Sequence, residues 1–356
     1  MSAMITLDNV CKKYGDFIAL KQTSFEIRKG EFLTLLGPSG SGKTTILNLT
    51  AGSASPTTGR ILLGGRNVTN EPARDRNIGM VFQNYALMPH MTVFENVAYP
   101  LLIRRLPSKE IKAKVYDVLE RVGLKGFESR KPRQLSGGQQ QRVGIARCIV
   151  YSPKIILMDE PLGALDKNMR DQMQEEIKRL HKELGTTIIY VTHDQEEALN
   201  LSDTVCLMNH GSVVQIGRPQ ELYYAPKHQF VAEFIGESNI LEATPTGTEG
   251  LLRTGDEVLI RLPAPPVGGG PFKILIRPEK LRPVGPDTAA AGQANVVRGA
   301  VEFVSFFGGM TRLTLRRANG SLFHAKRISD QGAADAKPGD PVAFSWAESD
   351  MVLLKS

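Results

Sequence analysis

Residues 37–44 read Gly-Pro-Ser-Gly-Ser-Gly-Lys-Thr. This is G-x4-G-K-[ST], the spacing of a loop that cradles phosphates. Gly37, Gly40 and Gly42 let backbone N–H groups turn inward around an anion, and the positive end of a following helix adds to that field. Pro38, Ser39 and Ser41 fill the remaining positions of the turn. Lys43 has the reach for the β and γ oxygens of a nucleotide, and Thr44 offers a hydroxyl to Mg²⁺. A second group of residues fits the same chemistry. Met158-Asp159-Glu160-Pro161 follows an apolar run. Carboxylates at the C-terminal end of a parallel strand face the ligand crevice of an α/β sheet. Asp159 is placed there to hold Mg²⁺, directly or through water, and Glu160 to polarise an attacking water. His193 closes a third apolar run in Val191-Thr192-His193-Asp194. A histidine in such a place is often a packing or capping residue. Facing this crevice, it can contact the γ-phosphate and the water.

Leu135-Ser136-Gly137-Gly138-Gln139-Gln140-Gln141-Arg142 is the most informative segment. Ser136 and Gln139 form the S-x-x-Q pattern of a capping box, so a helix starts here. Two glycines leave its first N–H groups open to an anion. The chain therefore has a second helix N-terminus suited to phosphate. One nucleotide needs one cradle, so the second is expected to close over a nucleotide held by another copy.

These residues need a parallel sheet to hold them. Residues 32–36 (FLTLL), 154–158 (KIILM) and 186–191 (TTIIYV) are apolar runs without alternation, the pattern of central strands covered on both faces. The first enters a helix from Lys43 that Gly52 closes. Between the second and third runs, Met169, Met173, Ile177, Leu180 and Leu184 recur at helical spacing, and Gly185 stops the helix. This is a βαβ unit. Residues of about 90–150 read as a helical insert, with Ser108 as a cap, Ile111, Val115, Val118, Leu119 and Val122 on one face, and Gly123 at the end. The uncharged stretch from Ile78 to Phe94 reads as loop. Beyond residue 236 the texture changes to strand-like pieces at 257–261, 273–276, 296–304, 312–315, 342–346 and 351–354. Turn-rich stretches at 262–271, 284–293 and 329–340 separate them, which argues a small all-β domain.

Composition agrees with two soluble domains. Of 356 residues, 41% are hydrophobic and 23% charged, which excludes disorder, collagen and long coiled coils. No apolar run reaches the ~18 residues of a membrane span, and no secretion signal is visible at the N-terminus. Three scattered cysteines fit neither a disulfide framework nor a zinc site, so a reducing, cytosolic location is the default expectation. The net charge of +7 contains no long Lys/Arg block of the kind that marks a nucleic-acid arm.

Together these residues resemble the ATP-binding subunit of ABC transporters, with every diagnostic motif in order over about 235 residues. The resemblance implies ATP and Mg²⁺ as ligands and gives further residues their roles. Tyr14 stands where the family stacks an aromatic ring on adenine. Gly37–Thr45 is the Walker A loop, with Thr45 also near the phosphates. Gln83 matches the Q-loop glutamine, which senses Mg²⁺ and the attacking water. Leu135–Gln139 is the signature motif, which meets ATP across a head-to-tail dimer. Asp159 and Glu160 match the Walker B aspartate and the catalytic base, Leu165-Asp166 the D-loop, and His193 the switch histidine. No catalytic position departs from the pattern. Ile276-Arg277-Pro278-Glu279-Lys280-Leu281 resembles the R-P-E element of the OB-like (TOBE) regulatory domain found in importers for sugars, polyamines, iron and sulfate. Residues 83–93 and 234–239 are most similar to the spermidine/putrescine subgroup.

The expected architecture is a P-loop NTPase cassette of the α/β class at 1–235, with its helical subdomain at about 90–150, followed by an OB-like β domain at 236–356. The implied partners are a second copy of the chain, two transmembrane permease subunits and, indirectly, an extracytoplasmic solute-binding protein. Nucleic acid is not among them. The implied location is peripheral, on the cytoplasmic face of the inner membrane. Two other classes share the phosphate loop. A soluble ABC ATPase acting on DNA or in translation usually has two cassettes or a long coiled-coil insert, and this chain has neither. A P-loop kinase would lack Leu135–Gln139 and His193.

Overall fold

The computed structural model describes residues 2–266, 268–285, 293–329 and 336–354. Parts of the turn-rich stretches at 262–271, 284–293 and 329–340 therefore lie outside the described residues. The chain forms two compact units, Met1–Pro219 and Gln220–Ser356.

In the first unit the strands are β1 (Ala3–Tyr14), β2 (Phe17–Arg28), β3 (Phe32–Leu36), β4 (Thr58–Leu63), β5 (Arg66–Asn67), β6 (Gly79–Val81), β7 (Ile155–Asp159), β8 (Thr187–Thr192), β9 (Thr204–Asn209) and β10 (Ser212–Gly217). The helices are α1 (Lys43–Ala51), α2 (Val93–Ile103), α3 (Ser108–Arg121), α4 (Gly137–Ile149), α5 (Lys167–Leu184) and α6 (Gln195–Leu201). One sheet has the order β10-β9-β3-β8-β7-β6, the other β2-β1-β4-β5. The strands from β9 to β6 are parallel, with β10 antiparallel at one edge. All five residues of β3 are buried. Each fully buried Leu or Phe there contributes about 1.5–3 kcal/mol of transfer free energy. The layout puts the ends of β3, β7 and β8 side by side, because Leu36 pairs with Thr192 and Asp159 with Val191. The three apolar runs of the sequence thus become neighbouring central strands.

Two cores hold this unit. Leu33, Leu35, Ile46, Leu157 and Ile189 join the β1–β4 sheet and α1 to the parallel sheet. Val97, Leu101, Val115, Leu119, Val143, Met173 and Ile177 join the helical insert to α5. α5 begins at its cap Asp166 and ends at Gly185, whose φ of 60° lets its N–H bond the His181 carbonyl.

Some local expectations change. Ser108 is the first residue of α3 rather than its cap; Pro107 holds the cap position and makes no side-chain bond, since its fixed φ already suits the entry. The stretch 78–94 contains β6, a three-residue edge strand paired only with β7, too short to show a pattern. It also contains the start of α2, where Thr92 and Glu95 form a capping box. The strands of the β1–β4 sheet, with β9 and β10, were also not anticipated.

Among the described residues the second unit holds α7 (Pro219–Tyr224) from Gln220 onward, α8 (Gln229–Phe234) and ten strands. β11 (Asn239–Pro245), β12 (Leu251–Thr254), β13 (Leu259–Arg261), β14 (Phe272–Ile276) and β20 (Met351–Leu354) form one antiparallel sheet. β15 (Arg282–Val284), β16 (Val296–Phe306), β17 (Met310–Arg316), β18 (Leu322–Ile328) and β19 (Pro341–Ser345) form another. Leu241, Ile274, Val297, Leu313, Phe344 and Trp346 share one core between them. β13 starts at Leu259 rather than 257, because Glu257 sits in a turn with φ 66°.

Arg277 follows β14 and is 3% exposed. Its guanidinium donates to the carbonyls of Tyr223, Ala232 and Glu237 and to Ser238 Oγ, and it stacks on the Tyr223 ring. That explains why 220–235 packs with the β-rich part of the chain. Replacing Arg277 with Met removes a buried donor set and leaves carbonyls unpaired, so the unit should lose about 3 kcal/mol or more. Trp346, the single tryptophan of the chain, is buried in this unit, so its fluorescence in a denaturant titration reads the loss there.

Candidate functional site

The phosphate loop leaves β3 at Leu36 and returns into α1 at Lys43. Its backbone tolerates only glycine at two points. A Cβ on Gly37 would lie 2.3 Å from the Met208 carbonyl oxygen. At Gly42, φ is 102° and a Cβ would lie 2.9 Å from the Ala19 carbonyl oxygen. Gly42 caps α1 without any side chain, leaving the first N–H groups of the helix to face the loop. Lys43 is 6% exposed. Its Nζ donates to the Gly37 and Pro38 carbonyls at 2.8 and 2.9 Å. Burial pushes the Lys43 pKa down, and the charges of Glu160 and Asp159 oppose that. Ser41 Oγ is buried within the loop without a partner among the described residues.

A cavity of about 170 Å³ opens between residues 40–45 and the pair Phe17 and Ala19. It is large enough for phosphate groups rather than a whole nucleotide. Tyr14 and Phe17 face each other across the β1–β2 hairpin, and both rings are exposed. Lys12 Nζ lies 4.7 Å from the Tyr14 ring centroid. The sequence reading had Tyr14 but missed Phe17. The signal was present in the Tyr14-Gly15-Asp16-Phe17 turn, which puts two aromatic residues at opposing positions.

Asp159 is the last residue of β7, and Thr44 Oγ1 donates to its Oδ1 at 3.5 Å. Burial raises the Asp159 pKa, the neighbouring Glu160 charge raises it further, and Thr44 and Lys43 oppose both. Glu160 has φ 43°, an uncommon conformation for a side-chain-bearing residue. Its N–H donates to the Val191 carbonyl at 3.0 Å, which fixes the turn against β8. Its Oε2 lies 3.2 Å from His193 Nδ1. The structure thus brings Lys43, Thr44, Asp159, Glu160 and His193 to one end of the parallel sheet. Strain at residue 160 has no counterpart in the sequence pattern.

Gln83 follows β6 and is exposed; its Nε2 lies 3.8 Å from where a Cβ on Gly163 would stand, beside the loop that follows Glu160. The segment after Gln83 is held from α4 and α2. Arg147 donates to the carbonyls of Tyr85 and Ala86, both at positive φ, and the fully buried Asn96 side chain binds Met88, Met91 and Thr92. Neither residue was singled out from the sequence.

Ser136 caps α4 as the pattern predicts. Its Oγ accepts from the Gln139 N–H at 3.3 Å and the Gln139 side chain accepts from the Ser136 N–H at 3.0 Å. Gly138 allows α5 to approach, since a Cβ there would lie 3.1 Å from Met169 Sδ. Asp166 caps α5 by accepting from the Met169 N–H. Among the described residues no hydrogen bond or ion pair links residues 136–139 or Asp166 to the loop at 37–45. Within one chain the two phosphate-suited helix ends stay unconnected.

Comparison with known proteins agrees with this arrangement. A family model described as ABC transporter matches residues 20–163, and one described as TOBE domain matches residues 274–354. The spermidine/putrescine import ATP-binding protein PotA of Rubrobacter xylanophilus is 45% identical over 98% of this chain and 93% of its own length. The chain belongs to the ATP-binding proteins of ABC transporters. The Fe(3+) ions import ATP-binding protein FbpC of Rhizobium etli is 44% identical over 90% of this chain and 89% of its own length. A solved ATP-binding cassette, dimeric and bound to ADP and Pi after hydrolysis, is 36% identical and superimposes with a TM-score of 0.54 over 61% of this chain and 99% of that one. The chain is an ATP-hydrolysing transporter subunit: a P-loop cassette with a further all-β part that carries the TOBE match. No described helix is long and apolar enough to cross a membrane.

Proposed function

We propose that this subunit drives import of a polyamine of the spermidine or putrescine type. The observation that carries the substrate class is the near full-length likeness to the PotA protein of Rubrobacter xylanophilus. We assign residues 1–235 to ATP binding and hydrolysis and residues 236–356 to regulation. The working form is a homodimer bound to two permease subunits at the cytoplasmic face of the membrane, with a solute-binding protein outside. Tyr99, Leu102 and Ile103 present exposed apolar side chains on α2, the kind of surface a permease would cover.

The donor set fits Mg²⁺. The Thr44 hydroxyl and the Asp159 carboxylate are hard oxygens that already meet, and among the described residues no group of three or more His, Cys, Asp or Glu is arranged to hold a metal ion by itself. A magnesium ion keeps several waters and shares phosphate oxygens, so one or two protein oxygens suffice. Thr44, Asp159 and Gln83 would hold it, and it would neutralise phosphate charge. The chain's own groups do the rest. Residues 37–45 and Lys43 hold the β and γ phosphates, with Tyr14 against the base. Glu160 orients the attacking water and takes up its proton. His193, in contact with Glu160, and Lys43 stabilise the charge that develops on the transferred phosphoryl group. Ser136, Gly137, Gly138 and Gln139 of the second copy, with its Asp166, close the site from the other side.

The test is ATPase activity of the complex reconstituted with its permeases and binding protein. Spermidine or putrescine should stimulate turnover and ferric iron should not. Stimulation by ferric iron alone would transfer the substrate assignment to the class named in the Rhizobium etli relative.

A further inference from the structure

Next to His193 in the chain lies a polar cluster formed by residues of β8, α5 and α6. Glu197 is 3% exposed, and its Oε2 accepts from Tyr190 Oη at 2.8 Å and Thr192 Oγ1 at 2.7 Å. Burial pushes its pKa up, while the two hydroxyls and Arg170 pull it down. Tyr190 and Thr192 end β8, and His193 follows directly. Asp194, the next residue, caps α6 by accepting from the N–H groups of Glu196 and Glu197. The two residues flanking His193 are therefore fixed to the same cluster.

Arg170, on the first turn of α5, spans from there to the neighbouring loop. Its Nη1 donates to Asp194 Oδ2 at 3.1 Å, its Nε lies 3.7 Å from Glu197 Oε1, and its Nη2 donates to the Leu165 carbonyl at 3.2 Å. Two of the guanidinium nitrogens thus donate hydrogen bonds, one to Asp194 beside His193 and one to the Leu165–Asp166 loop, while Nε makes only the longer charge contact to Glu197. A planar fork can make that bridge, and a lysine ammonium, a single point charge, cannot reach both sides.

We propose that Arg170 is a positioning residue for hydrolysis, tying the Leu165–Asp166 loop to the backbone that carries His193 so that the two loops hold one another in register. It touches no substrate and acts through His193, so the inference rests on the role proposed above for that histidine. A misplacement of a reacting group by about 1 Å can cost on the order of 10²-fold in rate.

The experiment is a mutant cycle in the full-length chain, measuring kcat and KM for ATP together with thermal unfolding. Arg170→Gln and Arg170→Lys should both lower kcat by about tenfold or more while KM stays within about twofold, because positioning acts on the transition state. In a His193→Ala background, Arg170→Gln should add less than about a twofold loss, the mark of residues acting as a unit. Should Arg170→Gln fail to fold, Asp194→Asn enters the same cycle, since Asn keeps the α6 cap but loses the charge that meets Arg170. Full turnover in either variant, rescue by Arg170→Lys, or losses that add to that of His193→Ala would overturn the proposal. If His193→Ala itself kept full turnover, the reading of the site would fall and this inference with it. An impaired His193→Ala beside unimpaired Arg170 variants sinks the inference alone.

Discussion

Glu160→Gln should lower ATP turnover by the full-length chain by about 10²- to 10³-fold, the range for removing a group that acts only in the transition state. The substitution is isosteric, so the turn held by the Glu160 N–H on Val191 is kept. The amide neither takes a proton nor orients water as a carboxylate does. Nucleotide affinity should survive, because the Gly37–Thr45 loop and Asp159 are untouched. It is expected to rise slightly, since the Glu160 charge that pushes the Asp159 pKa up is gone. Turnover blocked with ATP still bound should trap the closed pair of subunits. Phosphate release measures the first effect, and light scattering with ATP and Mg²⁺ measures the second. Undiminished hydrolysis would remove Glu160 from the mechanism.

Ser136→Arg should cost about 10²-fold in turnover, because the α4 N-terminus would no longer present its N–H groups to the opposite phosphate. Ser136 is exposed, so an arginine fits sterically, and the local cost is the lost cap, about 1 kcal/mol. ATP affinity of the monomer should stay within about twofold, since among the described residues no hydrogen bond or ion pair joins residues 136–139 to the phosphate loop of their own chain. Fluorescent-nucleotide binding at low protein concentration, set beside activity at high concentration, separates the two. Weakened binding by the monomer would show that Ser136 serves its own nucleotide.

The three central strands of the parallel sheet and the residues at their C-terminal ends were readable because they follow from local rules. The unbroken apolar runs at 32–36 and 186–191 can only be covered strands, and Gly37, Gly42 and Lys43 declare their loop by spacing. The Ser136–Gln139 box was readable for the same reason. What escaped depends on contacts between distant segments. β6 has three residues and exists because β7 offers it an edge. Phe17 matters because a hairpin brings it opposite Tyr14. Glu160 adopts φ 43° because its N–H finds Val191, which is remote in sequence. Arg170 reads as an ordinary polar-face residue of α5 until the fold sets Asp194 and Leu165 on either side of it. Ser108 misled because Pro107 can start a helix without a hydroxyl.

The Arg277 clamp bears on how this protein can be cut. A truncation placed at the compositional shift near residue 236 would sever α7 and α8 from the guanidinium that satisfies their carbonyls. It would also strip Ala232 of the apolar cover that Leu275 and Leu354 supply. The shortened fragment would carry two orphaned helices, an invitation to aggregation that could be mistaken for lost regulation. Ending the fragment at Pro219 follows the seam the molecule itself provides, and it gives a cleaner means of asking what the C-terminal part does to the ATPase.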